Sequence, residues 1–399
     1  MPHTRARHAV SLLLKKLKFS PVVAIQGARQ TGKSLLVREI LPKELDQSVY
    51  QTFDKTASKR FAEKNPDTYL DQYSEAHPLI IDEAQKVPEI FDAVKLEVDE
   101  NRKPGRFILL GSTEFSKLSQ VRESLTGRLS RIRLYALNLA EAFELPPHTS
   151  GNLSLIHSST PRITRQKFLT YLKKGGMPGI FGIRDDEERS QAIEDWISLT
   201  IERDVHSFPR IAVDSDLCLQ ILQQIARLEE PTSTHIAKTL RRSPKIILKH
   251  LKVLLGLFVI HKLDPHPMST GKPLYFLSDV SFAQSLGASF ERSLYTWLVQ
   301  EQLSQRSYRS DRHDQLYFYR TTKGSYIHLI VESKSKETAA IKLFSDEKLD
   351  LRELEVLKAF QNRFLGDKKI QLMGLGPSRF SFKSEPNQKI EIFPWEALA

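Results

Sequence analysis

The chain has 399 residues, 40% hydrophobic and 27% charged, a globular composition too long for one ordinary core, so two or more domains are expected. Its net charge of +11 favours an anionic partner such as DNA, and no apolar run is long enough to span a bilayer, so no membrane partner is expected. The single cysteine, Cys218, excludes an internal disulfide and a cysteine-cluster metal site, and it fits a reducing, cytoplasmic setting.

Residues 1–38 contain no Asp or Glu and several Arg and Lys, as a transit peptide would. Too little chain precedes Pro21 for that, and Ala6 to Leu17 reads as a basic amphipathic helix. Val22 to Ile25 then has the length and β-branching of a short buried strand. Gly27-Ala28-Arg29-Gln30-Thr31-Gly32-Lys33-Ser34 follows, and Leu35 leads into a helix. Strand, G-x-x-x-x-G-K-S loop and helix make a phosphate-binding P-loop in its required context. Gly27 and Gly32 let the backbone turn its N–H groups onto a phosphate, and the helix dipole points at the same anion. Lys33 is expected on the β/γ-phosphates and the Ser34 hydroxyl on Mg²⁺.

Gln51 to Asp54 reads as a weak strand, followed by a charged, helix-prone stretch. Pro78 to Ile81 is apolar on both faces, as the interior of a parallel sheet requires, and it ends in Asp82-Glu83. At the carboxyl end of such a strand Asp82 would hold Mg²⁺ through water and Glu83 would orient the water that attacks the γ-phosphate. A helix over Ile90 to Asp99 and a strand over Arg106 to Gly111 come next, ending in Ser112-Thr113. Ser112 is the first choice for a γ-phosphate sensor and Thr113 the second; hydroxyls that merely cap a strand are the competing reading. An arginine after this strand can stabilise transition-state charge, often on a neighbour's nucleotide. Arg128 is the candidate and Arg122 the alternate, with a surface ion pair as the competing reading. Arg131 to Leu134 is an alternating strand.

The runs GARQTGKS, LIIDEAQKVPEIFDAVKLEVDENRKPGRFILLGST and SLTGRL resemble a prokaryotic family of AAA+-type P-loop ATPases joined to a C-terminal domain of unknown function. YLKKGGMP from Tyr171 and WISLTIERD from Trp196 resemble that family's middle segment. The resemblance implies ATP rather than GTP.

Residues 146–162 are rich in Pro, Ser and Thr and read as a linker. Helices follow over Phe168 to Leu172 and Glu187 to Phe208, interrupted by Gly175-Gly176-Met177-Pro178-Gly179; Arg203 is read as part of a solvated face, with reach to a nucleotide as the other reading. Leu217 to Arg227, a helix capped by Ser233, and a third from Ser243-Pro244 to Leu254 precede a hairpin of Leu257 to Leu263 with Pro273 to Leu277, which together predict a winged helix. Its third helix presents Lys245, Lys249 and Lys252 for phosphate contact, with Ile246, Ile247, Leu248 and Leu251 expected on the buried side. No residue within that helix suits base reading, and a protein-binding role is the alternative.

From Ser278 a third region begins, with a helix started by Ala288-Ser289-Phe290-Glu291 and running to Gln302, strands at 316–320, 326–332 and 339–344, and a helix at 352–364. This order resembles a restriction-endonuclease-like core. Glu291 matches its helical carboxylate, His328 stands at the strand Asp, and Lys342 and Phe344 stand at the Glu-x-Lys pair, so the core is expected to be degenerate and to cleave nothing. Ser333 to Lys336 and Lys368-Lys369 read as solvated loops.

The predicted fold class is therefore α/β: an AAA+-like P-loop parallel sheet over 1–145, a linker and helical lid over 146–212, a winged helix over 213–277 and an α+β endonuclease-like domain over 278–399. The expected activity is Mg²⁺-dependent ATP binding and hydrolysis by a DNA-associated homo-oligomer. An ATP-controlled switch acting on a protein partner is the alternative.

Overall fold

The computed structural model describes residues 5–41, 45, 47–115, 125, 127–147, 161–207, 212–309, 314–333, 337–346, 354–363, 369–377, 380–385 and 388–399. Arg122, most of the linker, Phe208, Lys334 to Lys336 and Lys368 lie outside the described residues.

The first sheet is parallel throughout, with spatial order β2 (Val49–Thr52), β3 (Leu79–Asp82), β4 (Phe107–Gly111), β1 (Val22–Gln26), β5 (Leu129–Arg133). Its central strands are buried on both faces, and their side chains alternate between two cores. Val22, Ala24, Leu79, Ile81, Phe107 and Leu109 enter one; Val23, Ile25, Ile80, Ile108 and Leu110 enter the other. This two-sided burial explains the unbroken apolar runs in the sequence. Helix α1 (Ala9–Leu17) packs Ala9, Leu13 and Leu17 onto the second core, at the spacing an amphipathic helix dictates. Since all five strands run one way, Gln26, Asp82 and Gly111 end at the same sheet edge.

Beyond the sheet, Asn138 and Glu141 form a capping box on the short helix α2 (Leu139–Ala142). The chain then reaches α3 (Arg165–Lys174) and the Gly175-Gly176 turn. Gly175 has φ +72°, and a Cβ there would lie 1.9 Å from Asp279 Oδ1; one on Gly176 would lie 2.1 Å from the Leu137 carbonyl. The turn is thus pressed between the end of the first domain and the C-terminal region. Gly176 N donates to buried Asp279 (2.8 Å), Leu137 N donates to the Gly176 carbonyl (2.7 Å), and the Tyr171 hydroxyl donates to the Leu137 carbonyl (2.5 Å). That is the physical content of the GGMP motif.

After α4 (Asp186–Glu202) come three helices, α5 (Ser215–Arg227), α6 (Ser233–Thr239) and α7 (Pro244–Gly256), and an antiparallel hairpin of β6 (Ile260–Pro265) and β7 (Leu274–Leu277). Two details differ from expectation. The cap of α6 is Thr232, whose side chain accepts from His235 N at 3.1 Å, not Ser233. On α7 only Ile247, His250, Leu251, Val253, Leu254 and Gly256 are buried, while Ile246 and Leu248 are 41% and 49% exposed. A helical repeat of 3.6 puts 247, 251 and 254 on one side and turns 246 and 248 away from it.

The hairpin does not end a separate module. Strand β6 pairs in parallel with β8 (Gln315–Arg320), so β6 and β7 are the edge of an eight-stranded sheet ordered β12-β13-β11-β10-β9-β8-β6-β7. The division expected at residue 277 falls inside that sheet. Strands β9 (Tyr326–Glu332) and β10 (Glu337–Leu343) lie where the sequence places them. Strands β11 (Lys369–Gly376), β12 (Phe380–Glu385) and β13 (Gln388–Pro394) were not read; Lys369, taken for a loop residue, opens β11.

Helix α8 (Val280–Ser285) precedes α9 (Phe290–Ser307), which is about 27 Å long at 1.5 Å per residue and ties the halves together. Near its far end Glu301 accepts from Leu139 N (2.8 Å), and Asn138 donates to Ser304 Oγ (3.3 Å). Burial pushes the Glu301 carboxyl up to about 8.

Candidate nucleotide site

The 27–34 loop crosses from β1 into a helix that starts at Lys33. Gly27 is required by contact, since a Cβ there would sit 2.1 Å from the Leu134 carbonyl, and Gly32 by its φ of +90°. Lys33 is buried, and its Nζ donates to the carbonyls of Gly27 (2.9 Å) and Ala28 (2.7 Å). Burial lowers its pKa to about 8, against the raising pull of Glu83 and Asp82.

The structure brings the two motifs together. Ser34 Oγ donates to Asp82 Oδ2 at 2.5 Å, and Asp82 Oδ1 accepts from Glu83 N at 2.9 Å. Glu83 stands at φ +54° and bends the chain off the end of β3. Its Oε2 accepts from Ser112 Oγ (3.3 Å) and from Gln85 Nε2, which also donates to Ser112 Oγ (3.3 Å). Ser112, the expected γ-phosphate sensor, therefore sits against Glu83. Thr113 lies inward, with its carbonyl taking Gln26 Nε2 at 2.9 Å. The oxygens of Ser34 and Asp82 form the donor set a hard cation such as Mg²⁺ takes, and the glycine loop is the cradle a phosphate chain takes.

Sequence reasoning missed five residues around this site. Tyr50 donates to Asp82 Oδ2 at 2.6 Å, and burial, then that bond, pushes its hydroxyl pKa far up, so it stays a donor. Gln85 holds Glu83, and its place two residues on was the one local signal. Arg7 is buried, donates to the Thr31 carbonyl (2.6 Å) and the Tyr135 carbonyl (2.7 Å), and pairs with Glu141 at 3.2 Å. Asp204 pairs with Arg29 at 2.5 Å, so the P-loop is met by Asp204 and not by its exposed neighbour Arg203. Trp196 Nε1 also reaches the Arg29 carbonyl at 3.4 Å. Gln30 takes φ +59° in the same turn.

Arg128 is not at the site. It precedes β5, whose Leu129 is in register with Val22, so it lies at the opposite sheet edge, roughly 15 Å below the loop by strand rise. There it forks onto Asp99, with Nη2 to Oδ2 at 2.8 Å. The surface ion pair is what the structure shows on this chain. The arginine at the near end of β5 is Arg133, 2.9 Å from His261 Nδ1.

Lys245, Lys249 and Lys252 are exposed together on α7. Glu291, His328 and Lys342 line one cavity, whereas Phe344 is buried elsewhere, its carbonyl accepting from Trp395 Nε1 at 3.0 Å. No helix among the described residues is long and apolar enough to cross a membrane.

Residues 19–143 match the family model of an AAA domain, and residues 165–288 that of a domain of unknown function. An uncharacterized protein of Mycobacterium tuberculosis is 24% identical over 348 residues, covering 82% of this chain and 71% of the relative. Among solved structures, the Walker-type ATPase of Pyrococcus abyssi is 14% identical, covers 70% of this chain and 94% of its own, and has a TM-score of 0.41. AMPPCP-bound DnaA from Aquifex aeolicus is 13% identical, covers 62% and 87%, and has a TM-score of 0.32. With its glycine loop, Ser34 and Asp82 joined at one sheet edge inside the matched span, residues 19–143 form an AAA-type P-loop domain, and the match to a domain of unknown function follows it.

Proposed function

We propose that this chain binds ATP with Mg²⁺ and hydrolyses it to ADP and phosphate, and that it uses the cycle on DNA. The observation that carries hydrolysis is the Glu83–Ser112–Gln85 cluster beside the Ser34–Asp82 pair. Lys33 leaves its loop carbonyls for the β/γ-phosphates. Ser34 and Asp82 would hold a divalent cation, which would supply charge neutralisation. Glu83 accepts the proton of the attacking water, while Ser112 holds the carboxylate's orientation and meets the departing phosphate. In a homo-oligomer Arg128 would act on a neighbour's nucleotide, and only after leaving Asp99.

The link to DNA runs through α7. Two residues past Ser112, Glu114 N donates to the Gly256 carbonyl at 2.8 Å, at the end of α7. A shift of the sensor segment is thus passed to the helix that carries Lys245, Lys249 and Lys252. These three contact phosphates. Duplex binding should weaken with salt at a log–log slope of roughly −3, and Lys245→Glu/Lys249→Glu/Lys252→Glu should remove both that binding and any stimulation of turnover by DNA. Turnover indifferent to DNA in the wild type would favour the other reading, a switch acting on protein. That reading has its own support in Ile246 and Leu248, exposed between the lysines.

Lys33 also gives the site a pH dependence. Its pKa of about 8 rises when a triphosphate arrives, so binding takes up a proton. ATP affinity should be full below about pH 8 and fall by up to about tenfold per unit above it, until the raised value is reached. Calorimetric titrations at pH 7 and 9 measure this; equal affinities would contradict it.

A further inference from the structure

A cavity of about 620 Å³ opens between the α5–α6 loop, the first turn of α9 and strands β8 to β10. Arg292, Lys342 and His328 are among its lining residues. Arg292 is 5% exposed; its Nε and Nη2 donate to the carbonyls of Ile225 (3.3 Å) and Tyr275 (2.6 Å), and the guanidinium lies 4.2 Å over the Phe276 ring. Its Nη1 has no hydrogen-bond partner. No carboxylate is among the groups that shift this guanidinium. A buried cation in this state costs several kcal/mol unless an anion meets it. Lys342, also buried, donates to the Tyr326 carbonyl at 3.1 Å. His328 Nδ1 accepts from Leu343 N at 3.1 Å, so its proton sits on Nε2, and burial together with Lys342 keeps the ring neutral.

The mouth is different. Glu230 pairs with Arg320, while Glu229 and Glu291 are exposed acceptors with room for a donor. Among the described residues no group of three His, Cys, Asp or Glu could hold a metal ion.

We propose that this cavity binds a small sugar phosphate, with the phosphate on Arg292, Lys342 and His328 Nε2 and the sugar hydroxyls on Glu291 and Glu229. Three donors from separate elements suit the several oxygens of a phosphate better than the two of a carboxylate. The acceptors at the mouth suit a ligand body that donates.

The test is calorimetric titration of the full chain with ribose 5-phosphate, inorganic phosphate and ribose, repeated in Lys33→Ala to silence the P-loop. Ribose 5-phosphate should bind in both backgrounds, inorganic phosphate more weakly, and ribose not at all. Lys342→Met should weaken both phosphate ligands by at least about tenfold while ATP turnover persists, which shows that the variant folds. Glu291→Gln should weaken ribose 5-phosphate alone. Arg292 is avoided because it also holds two carbonyls. Binding that vanishes in Lys33→Ala, or that survives Lys342→Met unchanged, would overturn the proposal. So would an oligonucleotide with a 5′-phosphate binding at least about tenfold more tightly than ribose 5-phosphate, which would make nucleic acid the occupant.

Discussion

Glu83→Gln is expected to slow ATP turnover by at least about 100-fold while leaving ATP affinity within about threefold. The amide has the carboxylate's shape, and its oxygen can still take the hydrogen bonds from Ser112 and Gln85. What it loses is the capacity to accept a proton from water. Binding rests on the loop amides, Lys33, Ser34 and Asp82, which the substitution leaves in place. Steady-state turnover and a nucleotide titration on the same sample separate the two effects. Turnover near the wild-type rate would mean that another group activates the water.

Gly175→Ala is expected to lower folding stability by about 3–5 kcal/mol. The new Cβ would lie 1.9 Å from Asp279 Oδ1, at a φ of +72°. A positive φ combined with ψ −166° is backbone that essentially only glycine adopts, and it costs a residue with a Cβ about 1–3 kcal/mol. Moving the turn also breaks the Gly176–Asp279 bond and leaves a buried carboxylate short of a donor, worth about 1–3 kcal/mol. Asp279 keeps its bonds from the Ser281 backbone and hydroxyl, so the loss is partial. Chemical denaturation reads the difference directly. A loss below about 1 kcal/mol would show that the turn relaxes without disturbing what it joins.

The nucleotide loop was legible because its chemistry is encoded in adjacent residues. Gly27, Gly32, Lys33 and Ser34 form the site by local backbone geometry, and two-sided burial marks the strand that carries Asp82. The supporting residues were not legible, because Arg7, Tyr50 and Asp204 reach the site only through tertiary packing, from 24, 32 and 175 positions away in the hydrogen-bond and ion-pair partners they meet. The place of Arg128 on its own chain was not legible for a related reason: the sequence puts it after the sensor strand, but only the parallel register shows that the chain has by then returned to the far edge. The α7 faces were blurred by an unbroken apolar run, Ile246-Ile247-Leu248, of which a helix can bury only the middle residue. Of the last three strands, which went unread, β11 has its alternation broken by Gly374 and Gly376.

ATP binding and turnover in Lys33→Ala, beside the wild type, test the central claim most directly. The wild type should bind ATP and release phosphate, and the variant should do neither while keeping its fold by circular dichroism. Phosphate release by Lys33→Ala at the wild-type rate would contradict it and place any hydrolysis away from the 27–34 loop.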